Sequence, residues 1–239
     1  MLRDVVELVL PSTCAGCGAY GEQCCRTCLT ALGALRPRPA SPSPVPESMP
    51  LTWAAAAYEG IVRRVIVAFK DHDRPDLGWI LGPLVAGALR EAIDASPQWC
   101  AAAEEWGRVA VIAVPSRAKG TRLRGRFPVG ELVDHVVDAQ RGPQPLSWRV
   151  DALSFGRAVR DQAGLDQRQR GENICGAMRL SGQAESGLRD VPIVLVDDIT
   201  TTGSTLAEAA RTVQGVAGGP MLAITVAATA RHGTALVRL

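Results

Sequence analysis

Several absences narrow this sequence before any motif is considered. It has no apolar run long enough to span a bilayer. Its first ten residues, Met1-Leu-Arg-Asp-Val-Val-Glu-Leu-Val-Leu10, carry Asp4 and Glu7 among the apolar positions. That stretch reads as a short amphipathic helix rather than a signal peptide, and membrane insertion is not expected. Charge excess is also missing. With 26 Lys and Arg against 24 Asp and Glu, the net charge of +2 does not demand a polyanionic partner, so any basic function must be local. No Gly-Lys-Ser/Thr loop occurs anywhere, and the strand–loop–helix at 194–204 carries no Gly-x-Gly-x-x-Gly run, so that segment is neither a Walker loop nor a dinucleotide fingerprint. No internal repeat is visible. What remains is 239 residues, 47% apolar and 21% charged, enough for one sizeable domain with a small appendage.

The cysteines are unevenly placed. Five of the seven (Cys14, Cys17, Cys24, Cys25 and Cys28) crowd together, whereas Cys100 and Cys175 stand apart. An odd count with tight pairs suggests metal binding in a reducing compartment, hence a cytoplasmic protein, more than a disulfide framework. Cys14-Ala-Gly-Cys17 and Cys25-Arg-Thr-Cys28 are two C-x-x-C units, and four thiolates so spaced can close a tetrahedral structural Zn²⁺ site. Cys24 is an alternative to Cys25, but only Cys25 gives the two-residue spacing to Cys28. The head lacks interleaved aromatics and has few basic residues, which argues against a strong nucleic-acid reader.

Organisation along the chain follows from proline. It falls at nearly every second position between Pro37 and Pro50, so residues 33–50 read as an extended linker between a four-cysteine zinc-binding head at 1–32 and a domain at 51–239. Beyond it, Trp53–Gly60 and Val62–Lys70 fit either a hairpin or a strand followed by a helix. Leu77–Ile93 is helical in spacing despite three glycines, and Val109–Val114 is a continuous apolar run expected of a strand covered on both faces. Val129–Ala139 reads as helix, Pro145–Leu153 as strand, Pro192–Asp197 as buried strand, Leu206–Val213 as helix and Met221–Thr229 as strand. This alternation predicts an α/β fold with a mostly parallel sheet flanked by helices.

The chemistry concentrates in Val194-Leu-Val-Asp-Asp-Ile-Thr-Thr-Thr-Gly-Ser204. In an open α/β sheet, ligands bind at the carboxyl ends of strands, where this loop must lie. Backbone N–H groups of a hydroxyl-rich turn that opens a helix can converge on a phosphate, with the helix dipole in favour, and Gly203 lets the chain turn closely around it. Two carboxylates beside a phosphate would repel it unless they served something else. A vicinal sugar diol is the obvious partner, so the pattern fits a sugar phosphate.

This run resembles the 5-phosphoribosyl-1-pyrophosphate (PRPP) motif of type I phosphoribosyltransferases, in which apolar residues precede two acids, then Thr-Thr-Gly and Ser/Thr. The resemblance implies a type I phosphoribosyltransferase-like fold. It implies that Asp197 and Asp198 hold the ribose hydroxyls as the catalytic acids. Ile199, Thr200, Thr201, Thr202, Gly203 and Ser204 would then wrap the 5-phosphate, and Mg²⁺ would accompany the pyrophosphate. Val114–Arg126 leaves a core strand and carries Arg117, Lys119, Arg122, Arg124 and Arg126 without an acid. Such a loop can receive a pyrophosphate through Arg forks and backbone N–H groups. Pro115-Ser116-Arg117 resembles the start of the family's pyrophosphate loop, which implies that role for Ser116, Arg117 and Lys119.

Within the family the chain resembles the ComF-type branch, associated with bacterial competence. Arg160, Gln162, Leu165, Arg170 and Asn173 match that branch across the polar segment Arg157–Asn173, and the resemblance implies a flexible loop with Arg160, Gln162 and Arg170 closing over the site. The four-cysteine head is shared with the branch as well. Where the branch carries Arg-Gly-Phe-Asn, this chain has Arg124-Gly-Arg-Phe-Pro128, so the asparagine is missing. Lys70 also falls on a branch position, and the sequence assigns it no role. The leading expectation is transfer of phosphoribosyl to a nitrogenous acceptor with release of pyrophosphate. The alternatives are a non-catalytic PRPP-binding or DNA-uptake accessory protein acting with competence-machinery proteins, and a zinc-dependent scaffold for single-stranded DNA.

Overall fold

The computed structural model describes residues 13–116, 125–139, 146–159, 167–189 and 191–229; the N-terminal stretch read above as an amphipathic helix lies outside them. In chain order the elements are α1 Arg26–Gly33, β1 Arg38–Pro39, β2 Leu51–Ala57 and α2 Gly60–Asp71. A 3-10 turn at Pro75–Leu77 leads into α3 Gly78–Asp94, α4 Pro97–Trp106, β3 Arg108–Ala113, α5 Pro128–Ala139 and β4 Leu146–Arg149. Then follow β5 Leu153–Phe155, α6 Gln167–Ile174, β6 Met178–Leu180, α7 Glu185–Leu188, β7 Ile193–Thr200, α8 Ser204–Gln214 and β8 Met221–Ala228.

Six strands form one sheet in the order β1-β2-β8-β7-β3-β4. Every neighbouring pair from β2 to β4 is parallel, and only the edge strand β1 is antiparallel. A parallel sheet must be covered on both faces, and the continuous apolar runs of β3 and β7 meet that need. Alternate residues go opposite ways. Val109, Val111, Val194, Val196, Leu222 and Ile224 pack with α2, α3, α4 and α5. Ala110, Ile112, Ile193, Leu195 and Ala223 pack with α6, α7 and α8. Each such Val, Leu or Ile contributes roughly 1.5–3 kcal/mol by leaving water.

The choice left open for residues 53–70 resolves as a strand and then a helix. Val62, Val65, Ile66 and Phe69 are all buried, at the spacing that keeps one helical face inward. Two of the three glycines that count against a helix at 77–93 have a packing reason. A Cβ on Gly78 or Gly82 would collide with His135 of α5, so glycine lets the two helices approach closely. The single strand expected at 145–153 divides: β4 joins the main sheet, while β5 pairs antiparallel with β6 as a separate ribbon. Helices α1 and α4 have no counterpart in the sequence reading.

The proline-rich stretch is not detached from the domain. Arg38 and Pro39 pair with Ala54 and Trp53, the Ala40 N–H donates to Thr52 O at 2.8 Å, and Ala40 is buried with Ala54 and Ala228. Proline is tolerated there because an edge strand can leave a ladder donor unmade. The cysteine head is likewise docked: Cys14, Cys24, Cys28 and Leu32 belong to the same buried cluster as α2 and α3. Among the described residues no helix is long and apolar enough to cross a membrane.

Candidate functional site

Strands β2, β8, β7 and β3 run parallel, so their carboxyl ends share one edge of the sheet, where ligands of such folds bind. Asp197 lies opposite Thr225, Ile199 opposite Ala227 and Thr200 opposite Ala228. The chain leaves β7 through Thr201 and Thr202, turns at Gly203 and enters α8 at Ser204. Gly203 has φ +74°, in the left-handed region, and a Cβ there would also collide with the Met49 sulfur and crowd Pro42 Cγ at 3.0 Å. Glycine is therefore required twice over, by backbone conformation and by the proline-rich strap packed on it. No side chain caps the amino end of α8, so its first N–H groups face a site that can take an anion. Thr202 and Ser204 share a hydroxyl hydrogen bond at 3.1 Å. The Thr200 hydroxyl is buried without a partner, whereas the Thr200 carbonyl accepts from Thr229 N–H at 3.0 Å.

The two acids have unlike surroundings. Asp198 shares the strand face of Val194 and Val196, the face α2 covers, and its carboxylate forms an ion pair with Lys70 from the last turn of α2. Asp198 is 6% exposed, so the pair is largely out of water. Burial works against the Lys70 charge, but Asp198 first, and then Asp197 and Asp71, outweigh it and hold its pKa above the ordinary lysine value. Asp197 accepts a hydrogen bond from Asp198 N–H at 2.8 Å. Burial, and then the neighbouring Asp198 carboxylate, push Asp197 well above the usual carboxylate range, and Lys70 opposes them only in part.

Ser116 lies at this edge because β3 neighbours β7, and Val114 N–H still bonds Val196 O at 2.9 Å. Arg117, Lys119, Arg122 and Arg124 lie outside the described residues. Arg126 is committed elsewhere. It bonds Glu131 of α5, donates to Phe69 O at 2.8 Å and stacks over the Phe69 ring, so it closes the carboxyl end of α2 instead of facing the acids. In the segment read as a mobile loop, Arg160, Gln162 and Leu165 lie outside the described residues, as does the side chain of Arg170. Residues 167–174 form α6, whose Gly171 approaches Ser204 at the start of α8. Arg157 donates to the carbonyls of Asn173 and Cys175 at 3.1 and 2.7 Å, capping the end of that helix.

Sequence reading placed Lys70 on a branch position without a role, and missed Glu208. The Glu208 carboxylate is buried and accepts from Met178 N–H at 3.1 Å and from Arg211 at 2.8 and 2.9 Å, tying α8 to β6. Burial opposes its ionisation, but Arg211 and the backbone donors win and hold its pKa below the usual value. The i,i+3 spacing of Glu208 and Arg211 was a signal for that pair. Nothing local links Lys70 to Asp198.

The second cluster is in the head. The sulfurs of Cys14, Cys17, Cys25 and Cys28 all lie within 4.8 Å of one another, positioned to hold a metal ion. Cys17 and Cys25 Sγ are 3.7 Å apart, close to the edge of about 3.8 Å in a tetrahedron of 2.3 Å metal–sulfur bonds. Burial opposes ionisation of Cys14, yet N–H groups of Cys25, Cys17 and Gly16 overcome it and bring its pKa to about 6. Burial pushes Cys28 up. Cys24 is outside the cluster, and burial followed by repulsion from Cys14 raises it to about 11. The structure thus selects Cys25 over Cys24. Arg64 of α2 donates to Gly16 O inside the first C-x-x-C unit, and Arg74 donates to Thr13 O at 3.2 Å and Gln23 O at 3.5 Å. No protein-family model and no curated protein matches this chain.

Proposed function

We propose that the carboxyl edge around residues 194–204 binds PRPP with Mg²⁺, on a domain of the type I phosphoribosyltransferase kind, and transfers its phosphoribosyl group to a nitrogen nucleophile. The observation that carries this reading is an acid pair, Asp197 half-buried and Asp198 buried, at the end of a central parallel strand, followed at once by a left-handed glycine turn and an uncapped helix start. The 5-phosphate sits on the N–H groups of Thr201–Ser204 and on the Thr200 hydroxyl, which is buried and otherwise unpartnered. The ribose diol donates to the acids at 197 and 198. Because Lys70 already neutralises Asp198, the two acids would not form a carboxylate cage for Mg²⁺, which would come to the site with the pyrophosphate and offset its charge. The bond from the anomeric carbon to pyrophosphate breaks as the carbon–nitrogen bond forms, pyrophosphate leaves with the bonding electrons, and the nitrogen's proton passes to water. Held in place, the chain's acids stabilise positive charge developing on the ring. In the head, Cys14, Cys17, Cys25 and Cys28 hold Zn²⁺ structurally, since four thiolates leave no open position for catalysis.

Calorimetry with PRPP and Mg²⁺ tests the site. Binding is expected for the native protein, with Asp198→Asn weakening it by roughly 10–100-fold, the equivalent of one charge-assisted hydrogen bond. An affinity indifferent to Asp198→Asn refutes the assignment. Pyrophosphate release with a panel of nitrogenous bases then separates turnover from binding alone.

A further inference from the structure

We propose that Lys70 is a positioning residue of this site: its ammonium supplies the counter-charge that keeps Asp198 a carboxylate, aimed for the sugar diol, while Asp197 beside it carries the proton of the pair. This rests on the PRPP reading and deepens it, by giving the two adjacent acids different duties.

Consecutive residues on a strand start out toward opposite faces, so Asp197 and Asp198 meet different neighbours even though their carboxyls interact. α2 covers the face to which Asp198 belongs, and its last turn brings Lys70 onto that carboxylate. Asp197 accepts the Asp198 N–H at 2.8 Å and interacts with the Asp198 carboxyl, and Lys70, ion-paired to Asp198, acts on it only from the neighbouring acid. Two carboxylates so close in a desolvated place do not both ionise readily, and a single ammonium placed on one of them breaks the tie. The charged groups acting on the pair, among the described residues, are Lys70 and Asp71 of α2 and the two acids themselves. The direction of the Asp197 shift, upward through burial and its neighbour, agrees with this division. Lys70 stays charged across the neutral range, because its own shift is also upward. An acid limb in binding therefore belongs to the carboxylate pair and not to the lysine.

The length of α2 fixes where the ammonium arrives. Arg126 closes the helix end by donating to the Phe69 carbonyl at 2.8 Å, one residue before Lys70. The lysine is thus delivered from a held helix end and not from a loop.

The test has two arms. In ligand-free protein labelled at aspartate carboxyl carbons, nuclear magnetic resonance follows the titration of the pair. Lys70→Met is expected to raise the apparent midpoint of the more acidic step by about one pH unit or more, and Lys70→Arg to leave it near native. Lys70→Gln serves where the methionine variant does not fold. In the second arm, PRPP and Mg²⁺ binding is measured from pH 5 to pH 8, a range of ~3 units spanning the expected acid limb. Lys70→Met is expected to lose binding at higher pH than native protein, with Lys70→Arg restoring the native profile. A folded Lys70→Met or Lys70→Gln protein whose pair titrates as in the native chain overturns the proposal. If the titration shifts as expected but native protein does not bind PRPP, the ligand assignment fails while the role of Lys70 stands.

Discussion

At Asp197, burial and a neighbouring carboxylate act in the same direction, and the consequence for stability has a definite sign. A carboxyl whose folded pKa lies above its unfolded value binds more protons folded than unfolded, so its contribution is largest in acid. That contribution is lost as pH rises through the ordinary carboxylate range toward the raised value. Asp197→Asn removes the liability and is expected to raise the melting temperature at pH 7, while weakening PRPP binding less than Asp198→Asn does. A lower melting temperature for that variant contradicts the account. Glu208 has the opposite sign: its stabilisation is present above the unfolded carboxylate pKa and is lost as pH falls through its depressed folded value. Glu208→Ala leaves the Met178 N–H unsatisfied and costs about 2 kcal/mol, measurable by denaturant unfolding. At Gly203, alanine must adopt a left-handed φ and displace Met49, so Gly203→Ala is expected to weaken PRPP binding at least several-fold in calorimetry. At this scale the acids, the threonines and Gly203 were legible, because their order along seven residues, Asp197 to Gly203, is itself the signal. Lys70 was not, since its partner is Asp198, far along the chain, and only packing of α2 on the sheet joins them.

Helix α2 joins two places that look unrelated in sequence. Near its start Arg64 holds Gly16 O between two of the clustered cysteines, and in its last turn Lys70 meets Asp198. A helix of this length is a stiff rod, so loosening one end shifts the other. Stripping metal from the head with a strong chelator is expected to lower PRPP affinity, with recovery on adding Zn²⁺ back; equal affinities before and after show the two ends to be uncoupled. Among elements, β3, β7, α8 and β8 were readable because each is a continuous apolar run or a clean helical stripe. The split of 146–155 into strands of two different sheets was not, since β5 turns away to meet β6, a partner found only through the chain's later path. Glycine content misleads at α3 for a similar reason, the benefit lying on His135 of another helix.

For the molecule as a whole, the sequence suggests a head, a tether and a domain, and the structure binds the three together. Cys28 and Leu32 lie in the cluster that α2 and α3 complete, and Arg38–Pro39 pairs with β2. A chain trimmed to residues 51–239 exposes that apolar surface and leaves β2 as an open edge. It is expected to lose on the order of 3–5 kcal/mol, from about two buried side chains, in chemical denaturation. An unchanged midpoint in the trimmed protein shows that the head and strap add nothing to the fold. The coarse α/β class was legible because strand–helix alternation admits few topologies. The docking of head and strap was not, because proline spacing reports backbone conformation and says nothing of what the backbone lies against.

The order β2-β8-β7-β3 has a temporal meaning. β8 is the most C-terminal of the described strands, yet it sits between β2 and β7 in the middle of the sheet. During synthesis, β2 and β7 leave the ribosome with facing edges and nothing to bridge them, and the acid pair on β7 has no finished floor until residues 221–228 slot into the gap. A stalled or prematurely ended chain would therefore carry every residue of the pocket and still bind nothing, while showing two bare edges to its neighbours.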